Sequence, residues 1–228
     1  GVVSAGAMRL RSFNSVENET EAFASPDLMQ TVVERLNLQT RYVEQQFLRS
    51  VELYQTSPVD LHLAGSNPQS GFNCLISPAE DGKFVLSDFR ILKDKIKTEV
   101  KGQFGDTLMT PAGALVIHSN DEYLKDFKHD IRISWSGSMA VAKAYSKRLN
   151  IALAGKESSV IVISLTDRFP SRSSAILSSL VDVYNEVWIA NKNRSAINTA
   201  EFINDRLIII EKDLANVEET LRQFKADN

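Results

Sequence analysis

Residues 160–170 read VIVISLTDRFP, and this stretch decides the fold class. The β-branched run Val160-Ile161-Val162-Ile163 predicts a central, well-buried strand, because branching at Cβ suits a pleated backbone better than a helix. Pro170 then sets a helical φ where a first helical position would fall. Beyond it Ile176, Leu177, Leu180, Val183, Tyr184, Val187 and Ile189 form a broad apolar face, which predicts a long helix ending near Asn191. A strand that hands directly to a helix, inside a chain that also carries hairpins, makes the class α+β.

Upstream, Gly155-Lys156-Glu157 predicts a hairpin turn between strands 150–153 and 160–165, preceded by a helix from Ser138 through Ala140, Ala144 and Tyr145. The middle is β-rich. Strands are expected at Val59–Leu63, Phe72–Ile76, Lys83–Phe89, Ala114–His118 and Ile131–Trp135, with turns at Gly65-Ser66-Asn67-Pro68 and Asp81-Gly82. Residues 91–100 fit a strand or a helix. Nearer the start, Ser25-Pro26-Asp27 supplies a capping hydroxyl, a proline and a first-turn acid, so a helix should run from there to about Asn37. A second helical stretch is expected from about Thr40 to Leu53, stopped by Ser57-Pro58. Residues 1–24 give weak signals, with a strand possible only within Val2–Leu10.

Downstream, Ala196, Ala200, Ile203, Leu207, Ile210, Leu214, Val217, Leu221 and Phe224 recur at alternating spacings of four and three, the heptad of a coiled-coil seam. Asn198 with Glu201 would cap a new helix start. Such a helix would run roughly 45 Å and should project from its domain, with the seam packing on the domain for its first two turns and free beyond about Leu214. The expected organisation is a mixed α/β base domain over residues 1–190 and the start of a long heptad helix over 191–228. The chain begins at Gly1 and stops inside a helical pattern, which raises the expectation that both ends are cuts and that membrane segments lie in the flanks.

Composition narrows the function. With 26 basic and 29 acidic side chains the net charge is -3, which argues against nucleic acid as a partner. The one cysteine, Cys74, can form no internal disulfide and is expected to be buried and inert. No phosphate-binding glycine loop and no G-x-S-x-G elbow occurs; Ser136-Gly137-Ser138 reads as a turn and helix cap. His62, His118 and His129 share no zinc-site spacing, and Glu80-Asp81 or Asp126 with Asp130 read as solvated surface. The sequons at Asn18 and Asn193 read as chance matches. No catalytic, cofactor-binding or metal-binding residue is therefore assigned.

Two blocks carry a family resemblance. Val160–Asp167, Pro170, Ala175, Leu177 and Tyr184, followed by 198–207 (NTAEFINDRL), Leu214, Glu218 and Lys225, form the first. Glu19, Glu21, Ser25–Met29, Val32-Val33, Leu36-Asn37-Leu38, Val51-Glu52-Leu53-Tyr54 and Ser57-Pro58 form the second. In their order these resemble the periplasmic region of bacterial polysaccharide co-polymerases, the Wzz and Wzc-like chain-length determinants linked to tyrosine kinases, in the version found in Bacteroidetes. Ser174 stands where the family often has an alanine. The resemblance covers about half the chain and leaves the middle unassigned.

It implies a membrane-proximal base in the periplasmic part of an inner-membrane protein, with spans on either side. It also implies homo-oligomeric rings that act with a polysaccharide polymerase and an outer-membrane exporter, and it leaves open both contact with nascent polysaccharide and whether a tyrosine kinase is fused to the parent or paired with it. The residues it marks as structural or interacting are Asp167, Pro170, Tyr184, Thr199, Phe202, Ile203, Arg206, Leu207, Leu214 and Glu218. Two other readings stay open from the residues alone: a periplasmic coiled-coil adaptor unrelated to polysaccharide, and a polysaccharide hydrolase whose carboxylates meet only on folding.

Overall fold

A computed structural model describes residues 2–4, 8–9, 16–65, 68, 70–155, 158 and 160–226; the side chains of 2–4, 8–9, 16–17, 213, 215, 218–221 and 223–226 are not described. The chain forms β1 (Val2–Ser4), β2 (Met8–Arg9), α1 (Val16–Ala24), α2 (Pro26–Arg35), β3 (Thr40–Gln45), β4 (Ser50–Glu52), β5 (Val59–Leu63) and β6 (Phe72–Pro78). Then come β7 (Lys83–Ile91), β8 (Asp94–Ile96), β9 (Val100–Gln103), β10 (Thr107–Thr110), β11 (Gly113–Ser119) and β12 (Ile131–Trp135). The last elements are α3 (Ser138–Ser146), β13 (Leu149–Leu153), β14 (Val160–Thr166) and α4 (Pro170–Ala226). The fold is α+β with a long C-terminal helix, in two compact units, Gly1–Val181 and Asp182–Asn228.

Within the first unit the middle of the chain makes a β-body. One antiparallel sheet runs β4-β3-β12-β6-β7-β8 with β9 also on β7, and a second runs β10-β11-β5. Alternation aims Phe72, Cys74 and Ile76 of β6 and Ile131, Ile133 and Trp135 of β12 to one side, where they share a core with Leu115 and Ile117 of β11 and Val59 and Leu61 of β5. On β7 the buried positions step from Leu86 to Phe89 because a bulge opposite Asn73 and Leu75 inserts one residue. Asp88 sits there at φ 46, its carboxylate held by Arg90, Lys95 and Arg132. Asp81 (φ 58) and Gly82 (φ 67) turn the chain between β6 and β7, as the Asp-Gly pair predicts.

The two ends of this unit build a separate α/β layer. β14 is central, flanked by β1 and β13 and also pairing with β2, all antiparallel. Its burial is one-sided: Ile161 and Leu165 are buried while Val160, Val162 and Ile163 are half-exposed, so the strand is central without being covered on both faces. α2 starts as expected, with Ser25 Oγ accepting from the Asp27 N–H at 3.3 Å and Pro26 in its first turn. Its end is a left-handed cap at Asn37 (φ 51), where Leu38 N–H bonds Val33 O at 2.9 Å and Asn37 N–H bonds Glu34 O at 3.3 Å. Leu28, Met29, Val32 and Val33 are its buried face.

Three expectations are corrected. Residues 40–53 form the β3–β4 hairpin and no helix, because Thr40, Tyr42 and Val43 find ladder partners on β12 and the left-handed Asn37 has already ended the helical path. The helix after Pro170 does not stop near Asn191; it continues to Ala226, and Asn198 lies inside it rather than at a cap. No glycine or proline interrupts residues 171–226, and polar residues alone do not break a helix. Leu207 and Ile210, expected to be buried, are 52% and 56% exposed. The ambiguous residues 91–100 resolve as the end of β7, β8 and the start of β9. Leu10, Ser66, Asn67, Lys156 and Glu157 lie outside the described residues.

Candidate functional site

Asp167 leaves the end of β14 with its side chain wholly buried, and the turn into α4 is built around it. Its Oδ1 accepts the Phe169 N–H at 2.9 Å, closing a local turn that presents Phe169 and Pro170 to the helix start. The same oxygen takes Arg172 Nε at 2.9 Å and Nη2 at 2.6 Å, and Oδ2 takes Arg148 Nη2 at 2.8 Å. Arg148 also donates to the Thr166 carbonyl. A buried carboxylate demands such partners, since its charge is costly away from water.

Arg172 carries the cluster across to the β-body. Its Nη1 meets Glu52 Oε1 at 2.6 Å, and Glu52 Oε2 takes Arg41 Nη2 at 3.0 Å. The order is Arg148, Asp167, Arg172, Glu52, Arg41, with signs alternating. Tyr54 and Phe169 stand against the Arg172 guanidinium at 5.2 and 5.0 Å. Burial works against the Asp167 carboxylate, yet hydrogen bonds from Arg172, the Phe169 N–H and Arg148 outweigh it and hold its pKa below the usual carboxylate range. Burial likewise opposes the charge on Arg172, but its bonds to Asp167 and Glu52 leave its pKa raised.

The cluster forms one wall of a cleft of about 830 Å³. The helix-ending turn at Leu36–Gln39, strands β3 and β4 with Tyr54 and Gln55, Asn120, Ser134 and Ser136, and α3 with Arg148 line the rest, together with Arg168. Tyr42 spans the base, its hydroxyl donating to Asp60 Oδ1 at 2.9 Å and accepting the Leu61 N–H at 2.8 Å. Burial and then the Asp60 charge push that phenol well above its ordinary pKa, so it works as a fixed neutral strut.

Of the residues marked by resemblance, Asp167 and Pro170 belong to this site. Tyr184 is buried further along α4. Thr199 bonds back to the Ser195 carbonyl at 2.8 Å, a helix-internal role. Phe202, Ile203, Arg206, Leu207 and Leu214 are exposed on α4, and the Glu218 side chain lies outside the described residues. Cys74 is buried and free, and burial pushes its thiol up to about 12. His62 and His118 meet edge-on at 4.9 Å across β5 and β11, a contact their separation in sequence hides. Among the described residues no three metal-binding side chains converge, and no helix is long and apolar enough to cross a membrane.

Sequence reading missed Arg172, Arg148 and Arg41. The available signal was Glu52, a charge inside the apolar run Val51-Glu52-Leu53, which needs a cation once that run is a buried strand. No known protein-family model matches the chain, and no curated protein matches it.

Proposed function

We propose that this chain is the periplasmic part of an inner-membrane polysaccharide co-polymerase, which sets the length and export of a capsular or exopolysaccharide through ring assembly. One observation carries the reading: the two sequence blocks that bear the resemblance, at opposite ends of the chain, come together. α1, which carries Glu19 and Glu21, packs against β13, the ladder partner of β14, and Glu52 of the N-terminal block binds Arg172, which also holds Asp167 of the C-terminal block, while the unassigned middle supplies most of the β-body. A resemblance arising by chance in two distant segments has no reason to converge on one layer and one ion cluster.

In this reading the α/β layer is the membrane-proximal base and α4 is the arm on which neighbouring copies assemble beside the polymerase and exporter. The exposed apolar residues Phe202, Ile203, Leu207, Ile210, Leu214 and Val217 supply that contact surface. The domain works by binding and holds no active site of its own; any tyrosine-kinase activity resides elsewhere in the parent. The test replaces Leu214, Val217 and Leu221 together by Asp in the full-length parent and measures polymer length on gels. A shifted distribution at normal expression is expected. An unchanged one refutes the assembly role.

A further inference from the structure

The cleft beside the ion cluster carries more positive charge and more hydrogen-bonding capacity than the protein itself uses. Four arginines line it, Arg41, Arg148, Arg168 and Arg172, against two acids, Glu52 and Asp60. Glu52 is taken up by Arg41 and Arg172, and Asp60 by Tyr42 and His62. Arg172 is nearly buried and fully engaged. Arg148 commits only Nη2, to Asp167 and Thr166, and its side chain is 43% exposed. Arg168 is exposed and makes no ion pair or hydrogen bond among the described residues.

The chemistry of the remaining lining narrows the ligand. Tyr54 offers a half-buried ring, and the side-chain amides of Asn37, Gln55 and Asn120 have no partner among the described residues. Planar amides and a guanidinium fork suit hydroxyls and a carboxylate, while an aromatic ring suits the C–H face of a pyranose. A bare phosphate would favour backbone N–H groups at a helix start, but at α4 the Phe169 N–H is already closed by Asp167. The volume is in the range of sites that take a ligand larger than one small ring.

We propose that this cleft binds a carboxylate-bearing oligosaccharide, with Arg168 and the free edge of Arg148 taking the acid and Tyr54 with the neighbouring amides taking the sugar. This rests on the polysaccharide reading and deepens it by naming the site and the acidic character of the ligand. Arg168 is the specificity-determining residue, since the other arginines also hold the fold.

The test is calorimetric titration of the 228-residue chain with a short oligogalacturonide, a neutral galactose oligomer of equal length, and citrate. The acidic oligomer should bind, more weakly at high salt, and Arg168→Glu should weaken it by about tenfold or more with an unchanged melting temperature. Arg168→Lys should lose less, because the charge stays and only the fork is lost. Absence of binding at millimolar oligomer, equal binding of the neutral oligomer, equal binding of citrate, or indifference to Arg168→Glu would each overturn the proposal. None of those outcomes touches the length-distribution experiment above, which reads α4 and not the cleft.

Discussion

Replacing Arg172 by Met removes the one cation among the described residues that touches both buried carboxylates, and its cost follows from the contacts. Arg172 gives two nitrogens to Asp167 and one to Glu52, and its side chain is 12% exposed while those of Asp167 and Glu52 are 0% and 5% exposed. Removing one partner from a buried pair costs about 3–5 kcal/mol, chiefly because a charge is left behind. Here Arg148 still holds Asp167 Oδ2 and Arg41 still holds Glu52 Oε2, so neither carboxylate is wholly stranded. Methionine keeps an unbranched apolar stem in place of the arginine's. The expected loss is therefore at the lower end, about 3 kcal/mol, or ~6–12 °C in melting temperature for a chain of this size.

Urea unfolding measures it, as a lower midpoint at an unchanged slope. Asp167→Asn alone should also destabilise, and the double variant should lose less than the sum of the two by about 0.5–3 kcal/mol, since each removes the other's partner. A loss under about 1 kcal/mol for Arg172→Met, or strict additivity, would show the cluster to be a solvated surface network and refute the reasoning.

Because the Asp167 pKa is depressed on folding, its contribution is complete above the unfolded value near ~3.9 and is lost as pH falls through the lower folded value. The urea midpoint should therefore drop on acidification below about pH 4, and Asp167→Asn should flatten that limb; an unchanged limb would remove Asp167 from the acid sensitivity. Leu207→Asp, at a position 52% exposed, should leave the melting temperature of the isolated chain within about 2 °C. A larger drop would mean the seam is already covered in this chain.

Much of the fold could be read from local chemistry. The Ser25-Pro26 start, the Asp81-Gly82 turn and the alternating strands β5, β6, β7, β11 and β12 are decided by residues close together, and the sequence states them directly. What it hid were features decided by distant partners. Thr40–Gln45 has enough apolar and polar residues to suit either period, and only pairing with β12 makes it a strand. The cleft draws Tyr42, Glu52, Arg148 and Arg172 from separate elements, and no spacing along the chain relates them. Asp167 was legible as a marked position, but its role as the hub of an ion cluster was not, because its cations come from α3's end and from the helix that it introduces.

The pairing of β1 with β14 sets the order in which the molecule can assemble. Val2 sits opposite Thr166, so the strand nearest residue 1 waits for β14, the last strand of the unit. The β-body, complete by Trp135, has all its ladder partners within residues 40–135 and can form while β14 is still unsynthesised. Closing so long a loop adds little to the equilibrium cost, which grows only logarithmically, but it makes the step slow. Until it closes, the edge of β14 that β1 covers awaits its partner. The chain is thus most exposed to misassembly late, after its hydrophobic body is already made, and a folding helper would act at that moment.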